Sequence, residues 1–196
     1  SNKSGKAAED HRTELYKITP QGVSWHQDFG VHFGQTEPLI VGDTLYLGGS
    51  ANRKPALLTI EPATGNVLRS VKLERRAMGQ LRYDELHGNV FVPASNMVQV
   101  VSYGQLLYKA GNDLDHATVF DTHNGHMTVI RDYDIMMYSN LGRAAAKIPL
   151  GKDLGNRHKG GIARHENGIL AIFGGELVCF DFMTDRGEMS KYVRRP

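Results

Sequence analysis

Short apolar segments separated by turn residues dominate the chain, and the clearest case is residues 38–73 (PLIVGDTLYLGGSANRKPALLTIEPATGNVLRSVKL). Four segments within it, PLIV, TLYLG, LLTIE and NVLRSVKL, are rich in β-branched and aromatic residues and are bounded by Gly, Pro, Asn and Asp. None of them sustains the 3.6-residue period of an amphipathic helix. The pattern therefore predicts four short antiparallel strands joined by tight turns.

Degenerate copies of this unit recur along the chain. They begin near residues 80, 117 and 161, and residues 15–29 match the second half of a unit. Residues 135–150 align with residues 58–73 without a gap. A glycine, which tolerates positive φ, marks the last turn of each copy, and successive glycines are 43, 39, 38 and 45 residues apart: Gly22, Gly65, Gly104, Gly142 and Gly187. A period near 40 with four strands per unit is typical of a β-propeller blade.

The predicted fold class is all-β, a small β-propeller with four complete four-stranded blades and an N-terminal half-blade. We expect a single domain over residues 15–196, preceded by a polar, flexible tether at residues 1–14. The alternative is a β-sandwich of unrelated hairpins, which would not require matched spacing. AAAK (144–147) favours a helix by propensity, but its alignment with VLRS predicts a strand. The ring of blades either closes with one reduced blade or stays open. In an open ring, another chain would cover the exposed sheet edges.

Composition excludes several classes of protein. The 196 residues suffice for one domain with a hydrophobic core, and the formal net charge of +2 argues against a nucleic-acid binder. The single cysteine, Cys179, rules out an internal disulfide framework. No apolar run is long enough to predict a membrane span.

Two stretches carry a family resemblance. PLIVGDTLYLGGS followed by LLTIEPATGNVLRS resembles the repeat of quinoprotein-type propellers, the pyrroloquinoline-quinone family. GVSWHQDFG (22–30) is similar to the Trp-bearing outer strand of that family, with Trp25 three residues after the turn glycine instead of four. The other copies carry different residues four positions after the glycine, which predicts that their docking contacts are built differently: Arg69, Tyr108, Ala146 and Lys191.

The resemblance implies the fold but not the cofactor, because the enzymes of that family are longer, with eight blades and an acidic cofactor-binding set. Non-enzymatic propellers with this repeat act as protein-binding platforms, including periplasmic and outer-membrane assembly factors. We therefore expect a scaffold without cofactor that presents one loop face to a protein partner. The assembly would be a homo-oligomer or a larger envelope or virion complex, in a periplasmic or extracellular location.

One face of such a propeller carries the predicted binding site. Loops from the fourth strand to the next blade share that face with the loops between second and third strands, and long loops on a rigid scaffold often bind ligands. Basic residues outnumber acidic ones there, which predicts binding to an anionic group or a carboxylate-rich surface; ordinary solvated loops are the alternative. The candidate residues are His26, Asp28, His32, Arg53, Arg75, Arg76, Asp115, His116, Arg157, His158 and Lys159.

The opposite face carries histidines in the first turn of successive units: His87, His123, His126 and His165. No cysteine or carboxylate accompanies them at recognisable ligand spacing, so no metal is predicted. The chain has no nucleophile elbow, P-loop or H-E-x-x-H motif, so no catalytic residues are assigned.

The alternative function is a carbohydrate-binding or hydrolytic propeller. In that case five aromatic side chains would supply stacking surfaces for sugar rings: Trp25, Tyr103, Tyr108, Tyr133 and Tyr138.

Overall fold

The computed structural model of the protein describes residues 12–31, 35–51, 54–94, 97–110, 119–123, 126–131, 133–165, 168–181 and 192–193. The chain divides into two compact units, Ser1–Gly79 and Gln80–Pro196. In the four-stranded sheets of both units, strands that follow one another in the chain pair antiparallel.

The first unit opens with a two-stranded hairpin, the half-blade, made of β1 (Arg12–Thr19) and β2 (Gly22–Val31). The short strand β3 (Gln35–Glu37) follows it. Blade 1 then comprises β4 (Leu39–Val41), β5 (Thr44–Ala51), β6 (Lys54–Ile60) and β7 (Val67–Lys72). Strand β8 (Met78–Gln80), at the end of this unit, pairs with β3.

In its described residues, the second unit contains three four-stranded sheets and one short helix. Blade 2 comprises β9 (Arg82–Asp84), β10 (Asn89–Pro93), β11 (Val98–Ser102) and β12 (Gln105–Ala110). Blade 3 comprises β13 (Val119–His123), β14 (His126–Ile130), β15 (Asp134–Tyr138) and β16 (Ala144–Pro149). After the helix α1 (Gly151–Gly155), blade 4 comprises β17 (Lys159–His165), β18 (Gly168–Phe173), β19 (Glu176–Asp181) and β20 (Tyr192–Val193).

These sheets confirm the predicted set of four complete blades and an N-terminal half-blade. The AAAK segment is indeed a strand, the first part of β16. Two features were not predicted, the helix α1 and the small β3–β8 sheet. The division into a tether and one domain stays a prediction; β1 itself begins at Arg12.

Apolar residues between adjacent sheets form the core of each unit. In the first unit, Leu15 and Phe29 of the half-blade pack against buried side chains of blade 1 such as Leu47 and Ile60. In the second unit, one cluster joins blades 2 and 3, and another joins blades 3 and 4 and includes Leu154 of α1. Helix α1 is therefore anchored by a buried leucine.

The same register shift recurs in three of the four blades. Blades 1, 2 and 3 each contain a bulge between their third and fourth strands, at Thr59/Ile60, Val100/Val101 and Met137/Tyr138. The half-blade has the same irregularity at Lys17/Ile18. Strands β1 and β2 therefore correspond to the third and fourth strands of a complete blade.

Trp25 of β2 docks the half-blade onto blade 1. Its indole lies on Gly65, where an added Cβ would be 2.8 Å from the ring, and its Nε1 donates a hydrogen bond of 3.0 Å to the carbonyl of Pro62. Gly65 has φ +79°, a conformation that other residues rarely adopt. Glycine is thus required here both by backbone conformation and by the closeness of the ring.

Tyr108 of β12 makes the equivalent contact between blades 2 and 3. Its ring lies on Gly142, where an added Cβ would be 2.2 Å from the ring and where φ is +73°. Its hydroxyl donates a 3.2 Å hydrogen bond to the carbonyl of Ser139, three residues before the glycine, as Pro62 is three residues before Gly65. The expectation that this junction is built differently was wrong, because a tyrosine supplies the same flat ring and single donor as a tryptophan.

The first prediction concerns the turn glycine of blade 3. We expect Gly142→Ala to lower the free energy of unfolding by about 2–4 kcal/mol, since it combines positive-φ strain with a clash against Tyr108. Gly151 has φ +68° and no atom within 4 Å of an added Cβ, so Gly151→Ala is the matched control for backbone strain alone. That control should cost about 1 kcal/mol. Equal losses in urea titrations of both variants would show that the ring contact is unimportant.

The second prediction concerns alkaline pH. Burial, with a smaller contribution from the charge of Asp84, raises the pKa of Tyr108 to about 12 from an ordinary value of 10.0. The folded state therefore holds this proton more tightly, and the contribution of Tyr108 to stability is complete below pH 10 and declines as the pH rises towards 12. We expect Tyr108→Phe to be less stable than the wild type by about 1 kcal/mol at pH 8, with a gap that narrows above pH 10.

The matched control for this change is Tyr103→Phe, since Tyr103 lies in the adjacent turn with an exposed ring. We expect it to have little effect on stability at pH 8. Denaturant titrations from pH 8 to 11 measure the gap, and a constant gap for Tyr108→Phe would contradict the assignment.

Candidate interaction surface

Four cationic side chains gather at one end of blade 1. The backbone N–H of Leu73 donates a 2.8 Å hydrogen bond to the carbonyl of Pro55, which holds the end of β7 beside the start of β6. This pairing brings together a set of exposed residues that we call the basic end of blade 1: Lys54, Lys72, Arg75 and Arg76. One carboxylate, Glu74, lies among them, so the local charge is positive.

The segment that carries Arg75 and Arg76 is held at both of its ends. Leu73 is fixed by Pro55, and Ala77 packs so closely on β5 that a Cβ added to Gly48 would lie 2.5 Å from the Ala77 Cβ. The hydroxyl of Thr36 in β3 also bonds both the N–H and the carbonyl of Gly48, at 3.2 and 3.1 Å. The small β3–β8 sheet therefore secures this connection against blade 1.

The predicted basic residues of the second unit form hydrogen bonds within the protein. Arg157 donates to Glu176 at 2.7 Å and to Asp153 at 3.1 and 3.2 Å, and these hydrogen bonds raise the pKa of its guanidinium. The Lys159 ammonium donates to the carbonyl of Gly155 at 2.5 Å. The carbonyl of His158, whose side chain is exposed, accepts from the N–H of Gly174 at 2.8 Å. Residues 157–159 thus hold α1 against blade 4.

A second arginine in this unit is also neutralised. Arg131 donates to the buried carboxylate of Asp134, with a 2.6 Å contact from Nη2 to Oδ2, and the Lys147 ammonium lies 3.1 Å from the same oxygen. Burial by itself raises the pKa of Asp134, but the hydrogen bonds and charges of Arg131 and Lys147 outweigh it, so the pKa lies below its ordinary 3.8.

His26 and Asp28 lie within β2, so they are part of a strand and not of a loop. The His26 ring stacks on Tyr16 at 4.4 Å, and its Nε2 is 3.6 Å from a carboxylate oxygen of Glu14. Asp28 is paired with Glu14 across the hairpin, and the Tyr16 hydroxyl donates to Glu14. These residues are therefore in acidic surroundings.

Four other candidate binding residues lie outside the described residues: His32, Arg53, Asp115 and His116.

Among the turns that carry the predicted histidines, the turn that contains His87 has a clear structural role. His87 Nδ1 is 2.8 Å from Oδ2 of the buried Asp84, whose other oxygen accepts from the N–H of Leu86 at 3.1 Å. The histidine thus helps to close its own turn. His126 is half-buried opposite His123, and the side chains of His123 and His165 are not described. Within the described ranges, no three His, Cys, Asp or Glu side chains are grouped so as to hold a metal.

The five rings considered for sugar stacking do not form one surface. Trp25 and Tyr108 lie on turn glycines, and Tyr138 is buried. Tyr103 and Tyr133 are exposed, but Tyr103 lies between the third and fourth strands of its blade and Tyr133 between the second and third. Because these turns are at opposite ends of a meander, the two rings cannot stack on one sugar.

Comparison with solved structures identifies the fold. BamB from Moraxella catarrhalis superimposes with a TM-score of 0.63 at 12% identity, over 91% of this chain and 58% of that one. The C-terminal WD40 domain of Sif2 gives 0.63 at 9% identity, over 88% and 50%. The computationally designed Ika4 protein gives 0.55 at 13% identity, over 77% and 91%.

These similarities and the repeated four-stranded sheets show that the fold is a small β-propeller. The chain spans about three fifths of BamB and half of the Sif2 domain. No protein-family model matches the sequence, and no curated protein matches it. In the part of the chain that the structure describes, no helix has the length and apolar character needed to cross a bilayer.

The third prediction concerns acid stability. Because the pKa of Asp134 is lowered in the folded state, its contribution to stability is present above about pH 4 and is lost as the pH falls through the folded-state pKa. We expect Asp134→Asn to cost about 1–3 kcal/mol at pH 7, and this deficit should shrink below pH 4. Asp43→Asn, in an exposed turn of blade 1, is the control and should change stability little. A deficit independent of pH would contradict the ion pair's role.

Proposed function

We propose that the protein is a non-enzymatic β-propeller scaffold that binds an acidic protein surface through the basic end of blade 1. The observation that carries this proposal is the gathering of Lys54, Lys72, Arg75 and Arg76 around the Leu73–Pro55 hydrogen bond. A cluster of one charge sign steers an oppositely charged partner and increases its rate of association. Carboxylates suit this cluster because arginine guanidinium groups bind them with two parallel hydrogen bonds.

Preorganisation is the second support for the proposal. The segment between Leu73 and Ala77 is held at both ends, so its backbone loses little freedom when a partner binds. Rigid loops on a stable scaffold are the usual location of binding residues in folds of this kind.

The paired arginines of the second unit have no binding role in this proposal. Arg131 and Arg157 bind carboxylates of their own unit, so an external anion would have to displace those partners. Such an exchange of one ion pair for another gains little free energy. We therefore assign Arg157 a structural role.

We also infer that the repeat is of the quinoprotein type and serves a larger assembly, such as an envelope complex or virion, with the strands from β1 onwards as parts of one domain. The supports are the motifs of residues 15–73 and the docking of Trp25 on the turn that contains Gly65. No cofactor enters this proposal.

The fourth prediction is the test of the basic end. We expect Arg75→Glu/Arg76→Glu to weaken binding of a fluorescent glutamate decapeptide by about tenfold or more, because attraction becomes repulsion. Fluorescence anisotropy at low and physiological salt measures this, and wild-type affinity should fall as salt rises.

The matched control is Arg143→Glu/Lys152→Glu, which changes the net charge equally at exposed positions of the second unit. Its affinity for the peptide should stay close to that of the wild type. Equal weakening by both double variants would show that net charge alone attracts the peptide, and the proposed surface would be abandoned.

A further inference from the structure

Three polar side chains lie in the otherwise apolar space between blades 3 and 4. Two of them come from blade 3, where Asp121 of β13 pairs directly with Thr128 of β14. Directly opposed residues of antiparallel strands have their side chains on the same face, with Cβ atoms about 5 Å apart. Thr128 also pairs with Met137, which belongs to the apolar cluster between blades 3 and 4. The face that carries Asp121 and Thr128 is therefore the one turned towards blade 4.

Arg164 of β17 supplies the third polar side chain. Its backbone N–H donates a 2.8 Å hydrogen bond to Oδ2 of Asp121, which joins the first strands of the two blades. Ile162, two residues earlier in β17, packs against the apolar cluster, so the side chain of Arg164 extends from the same face of the strand. Its Nε and Nη1 atoms are buried, and this burial lowers the pKa of the guanidinium although the charge of Asp121 opposes the shift.

The hydroxyl of Thr128 makes no hydrogen bond to any residue that the structure describes, although the side chain is 0% exposed. A buried hydroxyl in that state costs free energy, and valine would fill the same volume without a polar atom. The next residue of β14 is such a valine: Val129 is 0% exposed in the cluster between blades 2 and 3. The threonine at position 128 therefore points to a small polar partner beside Asp121 and Arg164.

We infer that an ordered water binds between blades 3 and 4, within hydrogen-bonding distance of the Thr128 hydroxyl, the Asp121 carboxylate and the Arg164 guanidinium. Water suits this set because it can accept a hydrogen bond from the guanidinium while it donates one to the carboxylate. A buried water typically makes about three hydrogen bonds, which is the number that these groups offer. A cation would be repelled by Arg164 and an anion by Asp121, so a neutral molecule is favoured.

This water would extend the link between Arg164 and Asp121 to β14, the second strand of blade 3. It would hold the two blades together by polar contacts, beside the apolar cluster that packs between them. The site lies within the second unit and does not depend on the basic end of blade 1.

The fifth prediction exchanges threonine for valine at position 128. Both side chains are branched at Cβ and have the same shape, so Thr128→Val removes the hydroxyl and changes little else. We expect the thermal midpoint of the full chain to fall by about 2–4 °C, because the variant loses one hydrogen bond and leaves the water with fewer partners. Differential scanning calorimetry measures this shift. A hydroxyl without a partner would give a shift of the opposite sign.

The matched control is the reverse exchange at the neighbouring position. Val129→Thr places a hydroxyl in the apolar cluster between blades 2 and 3, and it should also lower the midpoint. We therefore expect the wild-type residue to be the more stabilising one at both positions. An unchanged or higher midpoint for Thr128→Val, beside a lower one for Val129→Thr, would show that the Thr128 hydroxyl binds nothing and would overturn the inference.

Crystallography provides a second test that does not depend on the folding of a variant. A high-resolution structure of the wild-type chain should contain a water about 2.7–3.0 Å from Oγ1 of Thr128. Absence of electron density at that place would overturn the inference. Anomalous scattering there after a bromide soak would overturn it as well, because it would assign the site to a halide ion.

Discussion

The other features of this fold depend on one contact, in which an aromatic ring packs against a turn glycine of the next sheet. Trp25 on Gly65 and Tyr108 on Gly142 have the same components: a flat ring, a glycine with positive φ and a carbonyl three residues earlier that accepts the ring's hydrogen bond. This contact fixes the outer strand of one sheet against the outer turn of its neighbour. The apolar clusters between sheets can then pack in a single register, because a shift of either sheet would break the hydrogen bond and open the core.

The same contact explains which parts of the fold were predictable. Only glycine tolerates both the conformation and the ring, so Gly65 and Gly142 are visible in the sequence, and their spacing indicates the blades. The role of Tyr108 was missed because the motif was taken to require tryptophan, whereas the geometry requires any ring with one donor. Helix α1 and the β3–β8 sheet were missed for another reason. Segments of three to five residues carry no measurable periodicity, and tertiary contacts such as Thr36 with Gly48 and buried Leu154 stabilise them.

The interaction surface was less predictable, because charge in a sequence does not reveal its partners. The acceptor of Arg157 that lies in blade 4, Glu176, is 19 residues away along the chain, and only the folded blade brings the two together. The pairs Arg131–Asp134 and Asp84–His87 are only three residues apart, a spacing that was accessible to sequence reasoning. Lys72 was missed because it ends a strand, although the Leu73–Pro55 bond places it beside the connection that carries Arg75 and Arg76. Charges that the fold neutralises between distant segments, such as that of Arg157, are therefore recognised only in the structure.

Electrostatic attraction to the basic end of blade 1 would act over roughly a Debye length, about 8–10 Å, and would raise the rate of encounter with little dependence on orientation. A surface of this kind selects its partner by charge. It does not fix one register of backbone contacts, as the pairing of strands within each blade does.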